Sequence, residues 1–287
     1  MYIIRKMSVC SVAIFKNESH ILKEWLDHYI SQGIDKFFLV DHNSTDNYIY
    51  ILKPYIDSGI VELFFERRPH PHVESINENC LVKCKQYDWV IACDLDEFIY
   101  ARKGYPTIKS YLEDINDLMP TANQIFIPWK MFGSNGFDTI DKPQPASVIQ
   151  SFTKRLYCDK DSVLVRIHNN KKNIEYKTIV KTNTLIRLLQ HEHETTLKSY
   201  ISTYCIFTKL YEIHGEISEH ILEESFLHLN HYAIQSKKWF MDVKATRGAA
   251  DLPYNVRNEQ YFHRYDMASN DVDDFELRDM TIKLRNA

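Results

Sequence analysis

The chain is poor in glycine and proline, with seven and nine residues among 287. That scarcity argues against long linkers or a disordered arm. It has no run of about eighteen apolar residues, the length a membrane-crossing helix needs, so no transmembrane segment is expected. Neither sign of charge dominates. A net charge of −4 offers no whole-protein field for nucleic acid. Met1-Tyr2-Ile3-Ile4-Arg5-Lys6 lacks the long apolar core of a signal peptide. The cysteines, at 10, 80, 84, 93, 158 and 205, contain no zinc-type CxxC, and Cys80 and Cys84 have helical spacing. Reduced thiols and a cytoplasmic location are therefore expected. Internal repeats and low-complexity tracts are absent. So are GxGxxG after the first strand and GxxxxGK[ST] anywhere, which counts against a dinucleotide-binding domain and a P-loop NTPase. What remains is 44% hydrophobic and 26% charged, an ordinary globular balance for one large domain or two small ones.

The most informative stretch is Trp89-Val90-Ile91-Ala92-Cys93-Asp94-Leu95-Asp96-Glu97-Phe98. Its apolar half reads as a buried strand of a parallel sheet. It runs into three carboxylates, which repel one another unless a cation or several donors compensate. Asp94 and Asp96 are two apart and share a side in extended backbone. Hard oxygen ligands of this kind suit Mg²⁺ or Mn²⁺. A helix-capping acidic loop is the plainer alternative.

Upstream, strands and helices alternate. Strands are expected at 8–15, 36–40, 60–65 and 89–93. Helices lie between them, and a further helix from Pro106 precedes a strand at 124–129. This spacing requires crossovers, so the sheet should be largely parallel with helices on its faces. Polar residues gather after the first, second and fourth strands: Asn17 and Glu18, Asp41 to Asp46, and Asp94 to Glu97. All three loops should lie on one edge, where open α/β sheets place their ligands. Beyond residue 140 the pattern weakens. A short helix is expected at 151–157, and strands at 163–168 and 176–181 as a hairpin through 169–173. Helices are expected in the tail.

Phe15-Lys16-Asn17-Glu18, Glu24-Trp25, Gly33, Asp41-His42-Asn43-Ser44-Thr45-Asp46, and Asp88-Trp89 with Asp94-Leu95-Asp96-Glu97-Phe98 resemble glycosyltransferase family 2-like proteins, especially the branch related to glycosyltransferase family 92. The resemblance continues through Trp129, Phe132-Gly133-Ser134-Asn135-Gly136, Lys177-Thr178-Ile179-Val180 and His191. It ends with Asn230-His231-Tyr232 and Ser236, Arg247-Gly248, and Asn270-Asp271-Val272 with Asp274. It implies the GT-A fold, a Rossmann-like, mainly parallel sheet flanked by helices. The transferase domain would span 1–232 and a C-terminal helical extension 233–287. It also implies transfer of a sugar from a nucleotide-sugar donor to a hydroxyl of a glycan, lipid-linked or protein acceptor. Such chemistry is metal-dependent, with Mn²⁺ or Mg²⁺, and inverting.

On this resemblance Asp94 and Asp96 hold the metal on the diphosphate, and His191 completes its shell, with His193 as the alternative. Asn17, Glu18, Asp41, Asn43 and Asp94 face the nucleotide. Glu97 is a candidate base for the acceptor hydroxyl, or else it braces the acidic turn through loop amides. Asp138 is a second candidate. Asp46 reads as a helix cap. A closed zinc site at His191 and His193 lacks a third ligand. His70-Pro71-His72 reads as an exposed turn, and Arg67 and Arg68 as a solvated pair or a phosphate contact. Two readings from other classes stand beside this one: a metal-dependent phosphohydrolase, and a non-catalytic nucleotide- or sugar-binding module.

Overall fold

A computed structural model describes residues 6–69, 71–139, 147–168, 170–202, 216–247 and 256–286. His70, Asn169, Cys205 and Gly248 lie outside the described residues.

The first strand, β1 (Val9–Phe15), is apolar and almost wholly buried. Helix α1 (Ser19–Ser31) follows and buries Ile21, Leu22, Trp25, Leu26 and Tyr29, a stripe at three- and four-residue spacing. It ends at Gly33, whose φ of +87° favours glycine, and a Cβ there would come within 2.7 Å of the Lys109 Cβ. β2 (Lys36–Asp41), α2 (Tyr48–Asp57), β3 (Val61–Phe65), α3 (His72–Cys84) and β4 (Trp89–Ala92) continue the alternation. The four strands are parallel, in the order β3-β2-β1-β4. Their pairing sets Phe15 beside Asp41 and Val12 beside Ala92. The loops leaving β1, β2 and β4 therefore emerge on one edge, as the strand–helix alternation predicts.

The second half departs from simple alternation. β5 (Glu97–Ala101), α4 (Ile108–Leu118), β6 (Gln124–Met131), β7 (Tyr176–Lys181), β8 (Tyr200–Ser202) and β9 (Leu227–His231) complete a nine-stranded sheet. Its order is β3-β2-β1-β4-β7-β6-β9-β5, with β8 also on β6. β7 runs antiparallel between β4 and β6, and β5 antiparallel on β9. The other pairings are parallel, so the sheet is mainly parallel and flanked by helices, as expected.

Two local expectations fail. The 176–181 segment is a central strand, not half of a hairpin with 163–168. Ile179 and Val180 are fully buried on opposite sides and need a sheet around them. Arg166–His168 pairs instead with Lys171–Asn173. The helix expected at 151–157 is displaced to Val148–Ser151, and Lys154–Arg155 pairs with Val272–Asp273.

A main core on α1, α4 and the sheet includes Trp25, Tyr29, Trp89 and Phe98. A separate cluster with Met131, Ile234, Phe240 and Phe262 packs the tail against the sheet end. Helices occupy Glu259–Ala268 and Glu276–Asn286 of the tail. Among the described residues no helix is long and apolar enough to cross a membrane. The described cysteines are all free and buried.

Candidate active site

β4 delivers its carboxylates to a cleft of about 750 Å³ at the carboxyl edge of the sheet. Asp94, Asp96, Glu18, Asn43, His191 and His231 all line it. Their spacing in sequence is bridged by the parallel register of β1, β2 and β4, and by β7 and β9.

The acidic turn is held by buried cations. Lys177, on β7, places its Nζ 3.2 Å from Asp94 Oδ2 and 3.5 Å from Glu97 Oε2. Lys244 donates to Asp96 Oδ2, and His231 Nε2 stands 3.7 Å from Asp96 Oδ1. The Asp94 side chain is 39% exposed and that of Asp96 only 5%, so Asp94 is the more open to a ligand. Burial raises the Asp94 carboxyl, but Lys177, His72 and His231 outweigh it and hold it well below the usual range. Burial likewise raises Asp96, and Lys244 and His231 reverse the shift. Both are carboxylates at neutral pH. Burial pushes His231 down to about 3, so its imidazole is neutral, the form that ligates metals.

Lys244 reaches Asp96 because the Lys237–Trp239 turn continues as a π-helical turn, Phe240–Lys244. Such turns are frequent at functional sites. Arg247, three residues on, donates from Nη2 to Glu18 Oε1 at 2.9 Å and from Nη1 to the Lys16 carbonyl. Arg67, Arg68 and Arg257 add further positive charge to the wall, so cations outnumber carboxylates around the cleft. Such a surplus suits a polyanion such as a diphosphate.

A family model described as glycosyltransferase family 92 matches residues 5–273. The chain belongs to glycosyltransferase family 92. It is 22% identical over 261 residues to a family 92 protein of Ricinus communis, covering 88% of this chain and 40% of that one. A family 92 protein of Oryza sativa subsp. japonica is 23% identical over 203 residues, covering 68% and 31%. The chain thus spans less than half the length of these curated relatives. Among solved structures it is similar to S. aureus TarS in complex with UDP, with 17% identity, a TM-score of 0.36, and coverage of 62% of this chain and 48% of that one. Another is glucosyl-3-phosphoglycerate synthase from Mycobacterium tuberculosis in complex with Mn²⁺, UDP and phosphoglyceric acid, with 15% identity, a TM-score of 0.30 and coverage of 43% of each chain.

In this family 92 chain the residues singled out from sequence divide into two groups. Glu18, Asn43, Asp94, Asp96 and His191 reach the cleft. Asn17 and Asp41 are engaged just beneath it. Asn17, at φ +54°, accepts from the Thr45 amide at 2.7 Å and so ties the β1 loop to the β2 loop. Asp41 accepts from the Ser44 amide at 2.9 Å and from the Tyr48 hydroxyl at 3.0 Å. Asp46 does not cap the helix that follows it, α2, whose N-cap is Asn47; it accepts instead from the Ser19 amide in the first turn of α1 at 2.8 Å. Arg68 pairs with Glu66 and Glu78, and Arg67 donates to Asn43 at 3.1 Å. His191 lines the cleft, with Nδ1 on the Tyr176 carbonyl at 2.8 Å and Nε2 3.9 Å from Glu175. His193 is buried away from it and accepts from the Leu189 amide at 3.1 Å. Asp138 is exposed outside the cleft.

Glu97 has no exposed surface. Its Oε2 accepts from the Asp94 amide at 2.9 Å, while Oε1 is buried without a hydrogen-bond partner among the described residues. Burial raises its pKa to about 8, against the pull of Lys177. A carboxyl raised in the folded state stabilises the fold less as pH climbs from its unfolded value toward its folded one. Between about pH 4.5 and 8, wild type should therefore lose stability relative to Glu97→Gln, at roughly 1 kcal/mol per pH unit. Urea titrations of both chains at pH 5, 7 and 9 check this. A constant difference across the three would mean Glu97 is ionised throughout.

Lys177, Lys244, Arg247 and His231 were not singled out as site residues from sequence. Their positions lie 83 to 153 residues from Asp94, and no local spacing marks them. For Lys177, His231 and Arg247 the one signal available was their place in the resembling stretches, and Lys244 lies outside those stretches.

Proposed function

We propose that the chain transfers a sugar from a nucleotide-sugar donor to an acceptor hydroxyl, with inversion at the anomeric carbon. The observation that carries this reading is the cleft itself. Two carboxylates leaving one strand face a wall rich in buried cations at the carboxyl edge of a parallel sheet. In this reading Lys244 and Arg247 bind the diphosphate, and Asn43 and Glu18 orient the nucleoside; all four line the cleft. As the glycosidic bond to the diphosphate breaks, negative charge grows on the leaving group, and fixed cations stabilise it without reorganising.

A divalent cation is compatible in donor type. Among the described residues no group of three or more His, Cys, Asp or Glu side chains is arranged to hold a metal by itself. Mg²⁺-like ions on diphosphates are commonly held by one or two carboxylates, with phosphate oxygens and water completing the shell. Asp94 and Asp96 would supply those carboxylates. His231 faces an oxygen of Asp96, whereas His191 faces Glu175, so His231 is the favoured imidazole. A bound cation would neutralise part of the leaving group's charge. Glu97 braces the Asp94 amide in this reading, acting through that turn rather than on the acceptor.

The expected result is nucleoside diphosphate release from one member of a nucleotide-sugar panel with Mn²⁺, lost on adding EDTA. His231→Ala should shift the Mn²⁺ titration more than His191→Ala does. Binding of nucleotide without any release across the panel would favour a non-catalytic binding module. Release of inorganic phosphate from simple phosphate esters would favour a phosphohydrolase.

A further inference from the structure

Lys244 is a buried ammonium on the wall of the donor cleft, and it is bonded to Asp96 Oδ2, one of the two carboxylates that would hold a divalent cation. We propose that Lys244 exchanges partners when the donor binds, passing from Asp96 to the diphosphate, and that this exchange makes the metal and the nucleotide bind as a pair. The proposal rests on the transferase reading and adds how that site is regulated. Among the described residues Asp96 is the one carboxylate within ion-pair distance of Lys244. Lys244 has to share it with a divalent cation that arrives alone, or stay buried without a counter-charge, which is costly. With a diphosphate alone, Lys244 gains a new partner but leaves the Asp96 carboxylate bare beside a like charge. With both ligands every charge is paired, so each should raise the affinity of the other.

The surroundings of Lys244 suit a movable head on a fixed base. Its backbone is anchored in the π-helical turn, which the Ala245 amide closes on the carbonyl of the fully buried Phe240 at 2.7 Å. The ammonium rides on a flexible four-carbon stem with three rotatable donors, so it can turn to a new acceptor while the turn stays in place. The Lys244 ammonium and the Arg247 guanidinium each lie 5.9 Å from the centre of the Trp239 ring, on which both can rest. Burial lowers the Lys244 pKa, Asp96 opposes it, and Arg257 and Arg247 add to the lowering. A diphosphate carries enough charge to answer all three cations, which a single carboxylate does not. Lys177 differs. It is held by both Asp94 and Glu97, so it keeps a counter-charge when Asp94 is engaged, and the exchange is confined to Lys244.

The test follows free Mn²⁺ by electron paramagnetic resonance in titrations of the full chain, first alone and then with UDP, GDP or ADP as probes. Lys244→Gln removes the charge and keeps a hydrogen-bond donor for Asp96. It should bind Mn²⁺ alone at least about tenfold more tightly than wild type, and the gain in Mn²⁺ affinity that a nucleotide brings should shrink at least about tenfold. Lys244→Arg keeps the charge and grips a carboxylate through two parallel hydrogen bonds. It should bind Mn²⁺ alone at least about threefold more weakly than wild type, and it decides the outcome if Lys244→Gln does not fold. A lysine that only braced the fold would move the urea midpoint and leave Mn²⁺ affinity unchanged. Equal affinity for Mn²⁺ alone across the three chains, with a nucleotide still bound, would overturn the exchange and leave the transferase reading intact. A nucleotide that binds wild type without changing its Mn²⁺ affinity would overturn the exchange too. Mn²⁺ affinities that shift as expected, in a chain that binds none of the probes and releases no nucleoside diphosphate, would remove the transferase reading and the exchange with it.

Discussion

Asp96→Asn should lose at least about 100-fold in turnover and about 3–5 kcal/mol of stability. The two losses have different origins. Asp96 is a buried carboxylate held by the Lys244 ammonium and faced by His231. An amide removes the negative charge and leaves the ammonium buried without its counterion. Removing one partner of such a pair is strongly destabilising, whereas removing both is often close to neutral. The double variant Asp96→Asn with Lys244→Met should therefore regain most of the stability and none of the turnover. Urea denaturation and nucleoside diphosphate release on the same preparations separate the effects. Normal turnover in the double variant would take both residues out of the donor site. Asp94→Asn should be milder on stability, because the Asp94 side chain is 39% exposed against 5% for Asp96.

Asp274→Asn should destabilise the fold by a similar amount, about 3–5 kcal/mol, although it lies outside the cleft. Asp274 accepts from the fully buried Lys130 at 2.6 Å and from Arg155 at 2.8 Å. Arg155 also holds Glu219 at 2.7 Å. Glu276 adds bonds to Tyr100 at 2.8 Å and Arg102 at 2.9 Å. This ionic cluster fastens the tail to β6 and β5. The same tail presents Tyr261 and Tyr265 to the cleft.

Burial raises both carboxyls, but Lys130 and Arg155 hold Asp274 low, and His228 and Lys130 hold Glu276 low. A carboxyl depressed in the folded state contributes stability that is present above its unfolded value, near 4. That contribution is lost as pH falls through its folded value. Acid should thus release the tail first. Hydrogen exchange at pH 7 and pH 3 checks it, with Glu276–Asn286 expected to lose protection ahead of β1 and β4. Equal loss across the chain would show that the tail unfolds only with the domain.

The first half of the fold follows from local patterns along the chain. Apolar strands of four to seven residues, amphipathic helices between them and turns at Gly33 and Gly59 leave a parallel arrangement as the consistent outcome, because each strand must cross back over a helix. The same local logic put the loops at Asn17, Asp41 and Asp94 on one edge, since the end of a parallel strand is a direction in space. It also marked Asp94 and Asp96, whose mutual repulsion calls for a cation wherever they sit. Tertiary structure decided which cation answers them. Lys177 and Lys244 arrive from β7 and from a π-helical turn, and long-range strand order has no short-range period to betray it. It decided too that Glu97 lies beneath the turn rather than beside it. A strand alternates its side chains, and whether a given one meets solvent or core depends on what packs on that face. Glu97 is fully buried, with Lys177 of β7 3.5 Å from its Oε2, a partner 80 residues away in sequence.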